Sequence, residues 1–449
     1  MRFPYWTPGL LGVRWVDHFR KTDSLELWPE LMESQWKSPA ELRQDQWSAF
    51  LKLLSHATAQ VPYYRRIFRE RGLHLRDFQS PEDLHRLPIL TKEIIREEGK
   101  GMLAENFPDW QARPKATSGS TGVSLHFFLD RLSHGHQWAS IWRAWSLAGF
   151  RPGDRWAMLS GGALVPGRSN FRQRGYTWLN GAIQLPSYRL NDLEFSRFHS
   201  ILQNNPLSLL YAYPSNLRLF ARWLQERGHK LPLKACITTS ELLLPQWRKE
   251  IEEGSGVPVF DTYGSNDGGL IAFECEEKQG HHLNMEGNLL EVLDSDEQAS
   301  PEGETGKVVS TNLLNFAMPF IRYELGDRAS LNQSPCACGR GLDRVASVEG
   351  RMRDFIQTPE GAYLHGTLFN QLLLPIDWIE IYQVVQKERE RLTLRLVTSR
   401  KPSGMEEAQL IESIQNSLDS SIRIEIERVE EIKRSSAGKY RMVLSHLDD

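Results

Sequence analysis

Cysteine is scarce in this chain: four residues in 449, too few to build a disulfide framework for a protein of this size. Charge of either sign is not in excess. Lys and Arg number 54 against 57 Asp and Glu, a net charge of −3, which gives no general attraction to nucleic acid or anionic membrane. Long hydrophobic runs are missing, and nothing approaches the roughly 18 apolar residues of a membrane helix. The opening MRFPYWTPGLLGVRW has no uninterrupted apolar stretch of the length a signal peptide uses. A cytoplasmic protein is therefore the expectation. Internal repeats and low-complexity tracts are also absent. A chain of 449 residues exceeds one compact core, so two or three domains are expected.

What the chain does have is the string Lys115-Ala116-Thr117-Ser118-Gly119-Ser120-Thr121-Gly122. Its glycines let backbone N–H groups turn inward on an anion, and its hydroxyls add donors around the same point. The period-2 apolar run Leu125, Phe127, Leu129 follows. The string also reads as a flexible Gly/Ser turn between two strands. It is not a Walker A loop, because no Gly-Lys-Ser/Thr follows the glycines.

Residues 39–58 carry Trp47, Phe50, Leu51 and Leu54 at helical spacing, and 81–97 reads as a helical segment interrupted at Pro88. Trp138, Ile141, Trp142 and Trp145 fall on one helical face, which is expected to be core. From there strands and helices alternate: strands at 155–160, 207–213, 233–238 and 258–262, with a helix at 214–227. That order predicts an α/β sheet of mixed pairing. Residues 289–293 and 306–313 add strands. Beyond Pro335 the composition changes, and strands at 378–385, 391–398 and 421–429 around a helix at 405–418 read as a small α+β unit.

Three further motifs stand out. Asp261-Thr262-Tyr263-Gly264-Ser265-Asn266-Asp267-Gly268-Gly269 places a carboxylate on a Gly-flanked turn after a strand, which suits Mg²⁺; it also reads as a plain polar turn. Ile321-Arg322-Tyr323-Glu324-Leu325-Gly326-Asp327 puts an Asp after a Gly, suited to ribose hydroxyls but equally to a hairpin turn. Ser435-Ser436-Ala437-Gly438-Lys439 carries a Lys on a terminal loop, which gains a role only if a mobile domain brings it into a cleft.

In this order the four motifs resemble those of the adenylate-forming superfamily of acyl-CoA synthetases, adenylation domains and luciferases. TSGSTG is similar to its phosphate loop, YGSND to its Tyr-Gly-x-x-acid motif, RYELGD to its ribose-binding motif, SSAGK to its lysine loop and Gly350-Arg351 to its hinge. HATAQVPYYRRIF, EDLHRLPILTK, CACGR and YQVVQ narrow the likeness to phenylacetate–CoA ligase and its relatives found with capsular polysaccharide genes. The resemblance covers nearly the whole chain. It implies a large multi-subdomain α/β N-terminal domain over residues 1–349, binding ATP and acid. A small, mobile α+β C-terminal domain over 350–449 would carry the lysine loop.

The resemblance also implies roles. Ser118, Gly119, Ser120, Thr121 and Gly122 would hold the β- and γ-phosphates, and Ser240 and Glu241 would border the adenine. Thr262, Tyr263 and Gly264 would flank base and α-phosphate, Asp267 would bind Mg²⁺, and Asp327 would bind the ribose with Arg351 assisting. Lys439 would contact the carboxylate and bridging oxygen. The implied activity is ATP-dependent conversion of a small carboxylic acid to acyl-AMP with release of pyrophosphate, then transfer to the thiol of CoA or of a carrier phosphopantetheine. An apolar or aromatic acid is expected near Tyr211–Ser215 and Trp138. Two alternatives stand beside it: transfer to an amine or hydroxyl in cell-surface polysaccharide decoration, and a non-catalytic nucleotide-binding relative.

The chain departs from the family in having Asp267 where Glu is usual, Val123-Ser124 where Lys-Pro is common, and Arg353 where many members have Asp or Lys. IQTPEGAYLHG lacks the basic Gly-rich run typical of CoA ligases. Finally, Cys275, His282, Cys336 and Cys338 offer three thiolates and an imidazole, a tetrahedral structural Zn²⁺ set; the same residues also read as reduced cysteines on neighbouring strands. Related cysteine clusters occur in the phenylacetate–CoA ligase branch. Cys236, in an apolar strand, is expected to be core.

Overall fold

The structure, a computed structural model, describes residues 8–116, 125–160, 177–186, 190–241, 243, 245–265, 267–332, 334–349, 355–360, 363–365, 367–373, 375–418, 422–432 and 443–447. Five helices come first: α1 (Pro8–Arg20), α2 (Ser24–Ser34), α3 (Pro39–Gln60), α4 (Pro62–Arg71) and α5 (Lys92–Glu98). α3 starts where its sequence says it should. Ser38 accepts from the Glu41 amide while the Glu41 carboxylate reaches back to Ser38, and Pro39 fills the first helical position, where no N–H is needed. The strands β1 (Arg113–Ala116) and β2 (His126–Leu129) form an antiparallel pair, and Asp130 caps the helix α6 (Arg131–Ser146) that follows. Trp142 and Trp145 of α6 are buried, as the helical spacing predicts.

The middle of the chain runs β3 (Trp156–Ser160), β4 (Ala182–Pro186), α7 (Asp192–Gln203), β5 (Leu209–Ala212), α8 (Pro214–Glu226), β6 (Ala235–Thr239), α9 (Pro245–Ser255) and β7 (Val259–Ser265). Antiparallel strands then follow: β8 (Gly269–Glu274), β9 (His281–Leu283), β10 (Asn288–Leu293), β11 (Gly306–Asn312), β12 (Tyr323–Asn332) and β13 (Arg344–Glu349). All of these from β3 onward join one 11-stranded sheet in the order β10-β11-β12-β13-β9-β8-β7-β6-β5-β3-β4. Its β4-to-β7 half is parallel and the remainder antiparallel. The parallel strands read as short continuous apolar runs because both faces are covered. The pleat sends Leu209 and Ile237 into one core and Leu210 and Cys236 into another. Cys236 is thus core, as expected, and burial pushes its thiol up to about 12.

A second unit follows: β14 (Phe355–Gln357), β15 (Tyr363–His365), α10 (Thr367–Leu373), β16 (Ile379–Glu388), β17 (Arg391–Thr398), α11 (Gly404–Ser417), β18 (Arg423–Arg428) and β19 (Val443–Ser445). Its four-stranded sheet, β18-β17-β16-β19, packs around Phe369, Trp378, Leu394 and Ile414 in a core of its own. The expected boundary at Gly350–Asp354 lies outside the described residues. Among the described residues no helix is long and apolar enough to cross a membrane.

Two motif placements differ from the sequence reading. Residues 261–265 do not follow a strand; they are the second half of β7, which hydrogen-bonds to β8. Gly326-Asp327 is not a strand end or hairpin turn but lies within the ten-residue β12, where Gly326 takes the left-handed φ of 82°. A glycine in an irregular strand segment re-aims the next side chain, which periodicity alone cannot foresee.

Candidate functional site

Strands β7 and β12 are separated in the sheet by β13, β9 and β8, yet their motifs meet. The Tyr263 hydroxyl donates to Asp327 Oδ2 at 3.0 Å, and the Tyr323 hydroxyl donates to Asp267 Oδ2 at 2.6 Å. Each motif thus lends a tyrosine to the other's carboxylate. Asp267 and Tyr323 are both buried, at 6 % and 1 % exposure, so the bond between them works in a low-dielectric setting where a charged acceptor counts for more. Tyr323 was not singled out from the sequence. The only signal was its place within RYELGD, where attention falls on the Asp.

The floor beneath is tightly made. Thr262 Oγ1 donates to the Thr238 carbonyl at 2.6 Å, so this hydroxyl points into the sheet and not toward a ligand. Gly264 sits where the β7–β8 register shifts, and a Cβ there would lie 2.5 Å from the Gly269 carbonyl oxygen. Asp261 accepts from Thr238 Oγ1 and pairs with His281 Nε2 at 3.0 Å, and its amide donates to Glu274, which binds Arg248. Ser240, just past β6, holds a left-handed φ of 69°, a strained setting for a residue with a Cβ. Glu241 follows it, half-buried. The strand ends of β6 and β7 and the middle of β12 therefore bring Ser240, Glu241, Thr262, Tyr263, Gly264, Asp267 and Asp327 into the described structure. Ser118, Gly119, Ser120, Thr121, Gly122, Arg351 and Lys439 lie outside the described residues.

The structure also gathers the four proposed metal ligands. Cys275 follows β8, His282 is on β9, and Cys336 and Cys338 lie between β12 and β13; their ligand atoms all fall within 4.8 Å of one another. Cys275 and Cys336 sulfurs are 3.7 Å apart, close to the edge of a tetrahedron with metal–sulfur bonds of about 2.3 Å. His282 Nδ1 faces the Leu342 carbonyl at 3.3 Å, which only accepts, so Nδ1 carries the proton and Nε2 is bare. Nε2 lies 3.2 Å from Cys338 Sγ. Burial holds this imidazole neutral by pushing its pKa down to about 4, and burial with the neighbouring thiols pushes Cys275 up to about 12. A divalent cation is the group that would let such thiols ionise together.

Of the residues expected near an acyl group, Tyr211 packs its ring against Trp145 at 5.4 Å and Trp156 at 6.2 Å, and Tyr213 is fully buried. Residues 161–176, between β3 and β4, are outside the described part.

Residues 356–446 match the family model of the CapK C-terminal domain. The chain is 27% identical over 366 residues to the phenylacetate–coenzyme A ligase of Thermus thermophilus, a match covering 78% of this chain and 80% of that enzyme. The Pseudomonas putida phenylacetate–coenzyme A ligase is 27% identical over 354 residues, covering 76% and 78%. Among solved structures, 2-hydroxyisobutyryl-CoA ligase in complex with 2-HIB-AMP and CoA matches with a TM-score of 0.62 at 21% identity, over 90% of each chain. The same enzyme in its postadenylation state gives a TM-score of 0.60 at 20% identity, over 92% of each chain. The likeness at this identity is one of fold, here a large mixed sheet followed by a smaller C-terminal unit.

Proposed function

We propose, from the premise that this chain is a homologue of the phenylacetate–coenzyme A ligases, that it activates a small carboxylic acid with ATP and passes the acyl group to the thiol of CoA. A carboxylate oxygen attacks the α-phosphorus, the bond to pyrophosphate breaks, and acyl-AMP forms. The thiol sulfur then attacks the acyl carbon, loses its proton, and AMP leaves. The observation that carries this reading is the crossed pair of tyrosine–aspartate hydrogen bonds, which fixes two carboxylates of distinct use at one site.

In this reading Asp327 takes the ribose hydroxyls, and Tyr263 offers its ring to the base. Asp267 would hold Mg²⁺, its carboxylate oriented by the hydrogen bond from Tyr323. The metal would supply charge neutralisation on the phosphate oxygens, the term on which phosphoryl transfer mainly depends. Ser240 and Glu241 border the adenine, and Ser118–Gly122, Arg351 and Lys439 keep the roles their motifs imply. We infer a boundary near residue 350, consistent with the separate C-terminal core. We assign Cys275, His282, Cys336 and Cys338 as a structural Zn²⁺ site, supported by the sulfur spacing and the fixed imidazole tautomer. Cysteines that form no disulfide among the described residues suit a reducing compartment, the cytoplasm.

The test is acid-dependent pyrophosphate release from Mg²⁺ and ATP across aryl, alkyl and hydroxy acids, with and without CoA. Release specific to one acid class, and reduced roughly 10²–10³-fold in Lys439→Ala, is the expected result. A wild-type protein that binds ATP but releases no pyrophosphate with any acid, with or without CoA, would refute it.

A further inference from the structure

Two motifs that carry the resemblance, HATAQVPYYRRIF and EDLHRLPILTK, have no part in the roles above, yet both reach one short stretch, residues 316–324. From the first, His56 Nε2 lies 2.9 Å from the Phe316 carbonyl oxygen. The Tyr64 hydroxyl donates to the Pro319 carbonyl at 3.0 Å and accepts from the Ile321 amide at 3.1 Å. From the second, the Leu90 amide donates to the Arg322 carbonyl at 2.8 Å, and the Leu90 carbonyl accepts from the Glu324 amide at 3.0 Å. The peptide groups on either side of Tyr323 are therefore held by a single residue. Arg322 stands at the centre of these contacts. Six non-glycine residues of the described structure hold a positive φ, and Arg322, at 53°, is the buried one among them. A Cβ in that conformation crowds the following carbonyl, so it persists only where the surroundings over-determine it. Here they do. Nε lies 3.1 Å from each carboxylate oxygen of Glu291 on β10, and Nη2 lies 2.9 Å from Glu291 Oε1. Nη1 donates to the Leu87 carbonyl at 2.6 Å, and the Arg322 amide donates to Thr311 Oγ1 at 2.9 Å.

A bent backbone locked by a buried, forked ion pair is more than an aromatic ring needs to fill a core. Its consequence is directional: it sets how the next residue leaves the chain, and that residue is Tyr323, whose hydroxyl donates to Asp267. We propose that Arg322 is a positioning residue for Asp267. Its left-handed backbone, fixed by Glu291 and by the Leu87–Leu90 segment, aims the Tyr323 hydroxyl at that carboxylate, with Tyr64 bracing the approach. The two N-terminal motifs thereby act on the site without touching nucleotide or acid. The inference rests on the proposed function for what Asp267 holds; the positioning itself rests on the contacts alone.

The test uses the full chain with Arg322→Lys, which keeps the charge but loses the planar fork, and with Glu291→Gln, which keeps the shape but removes the charge. Glu286→Gln, which breaks a different buried ion pair, is the control for lost stability alone. In either variant at the Arg322 pair, the Mg²⁺ concentration for half-maximal pyrophosphate release should rise roughly 10-fold, with the KM of the acid little changed. Glu286→Gln should lower the melting temperature and leave the Mg²⁺ dependence as it is. Combining Glu291→Gln with Tyr323→Phe should cost no more than Tyr323→Phe alone, since the hydroxyl being aimed is then gone. A crystal structure of Glu291→Gln should show the Tyr323 hydroxyl withdrawn from Asp267. An unchanged Mg²⁺ dependence in both variants at the pair, additive losses in the double variant, or a hydroxyl still seated on Asp267 would each overturn the positioning role. A withdrawn hydroxyl in a chain whose wild type releases no pyrophosphate with any acid would overturn the proposed function and uphold the positioning.

Discussion

Replacing Tyr323 by Phe removes one oxygen from the centre of the site and little else. The ring keeps its packing against Phe320, whose centroid is 5.0 Å away. What disappears is the 2.6 Å bond to Asp267 Oδ2, between two groups that are almost wholly buried. A hydrogen bond to a charged group contributes about 1.5–3 kcal/mol, which is roughly 10- to 150-fold in an affinity. Tyr323 has no place in the proposed contacts with acid or acceptor. The loss should therefore fall on Mg²⁺ and ATP: the Mg²⁺ concentration for half-maximal pyrophosphate release should rise roughly 10-fold or more, with the KM of the acid little changed. Asp267→Asn should cost more. The double variant should cost no more than Asp267→Asn alone, because the hydroxyl's bond to that carboxylate is already gone. An unchanged Mg²⁺ dependence in a folded Tyr323→Phe protein, or additive losses in the double variant, would refute the reasoning.

Other consequences can be checked alongside. The protein as purified should contain about one zinc per chain, and Cys336→Ser should lose it and melt at a lower temperature; a fully folded protein without metal would remove the assignment. Gly264→Ala should open the β7–β8 pair, because its methyl would meet backbone at 2.5 Å, and should lower stability by about 1–3 kcal/mol with loss of ATP binding. Glu286 is half-buried, and that burial alone would raise its pKa, but the fully buried Arg143 and the Ser34 hydroxyl hold it at about 2, below the ordinary 4.5. Its folded value lies below its unfolded value, so its contribution is complete above about pH 4.5 and fades as pH falls toward 2. The gap in melting temperature between wild type and Glu286→Gln should accordingly shrink on acidification below pH 4.5; a constant gap would exclude the pair as its source.

Four of the five parallel strands, β3, β5, β6 and β7, were legible from their apolar runs bounded by Pro and Gly, as at Pro214 and Pro258, whereas β4 (Ala182–Pro186) was not expected. The Trp face of α6 was legible for the same reason of period. Cys275, Cys336 and Cys338 with His282 were readable as a ligand set, and the fold brings these four residues together. What could not be read was the crossing of the two motifs. Whether Gly326-Asp327 turns the chain or stays in a strand depends on partners in β11 and β13, and those pairings are set by tertiary context. The inward turn of the Thr262 hydroxyl is likewise a matter of register with β6.

The tyrosine–aspartate bonds join residues 56 and 64 positions apart, across three intervening strands. Such non-local contacts close late, after the loop entropy of every strand between them has been overcome. Neither half of the candidate site can exist while β8, β9 or β13 is out of register. On the proposed function, then, the chain would gain its nucleotide affinity only once the sheet is assembled, and a partly assembled molecule would not hold ATP. ATP binding would then be as much a report that the sheet is finished as the start of a reaction.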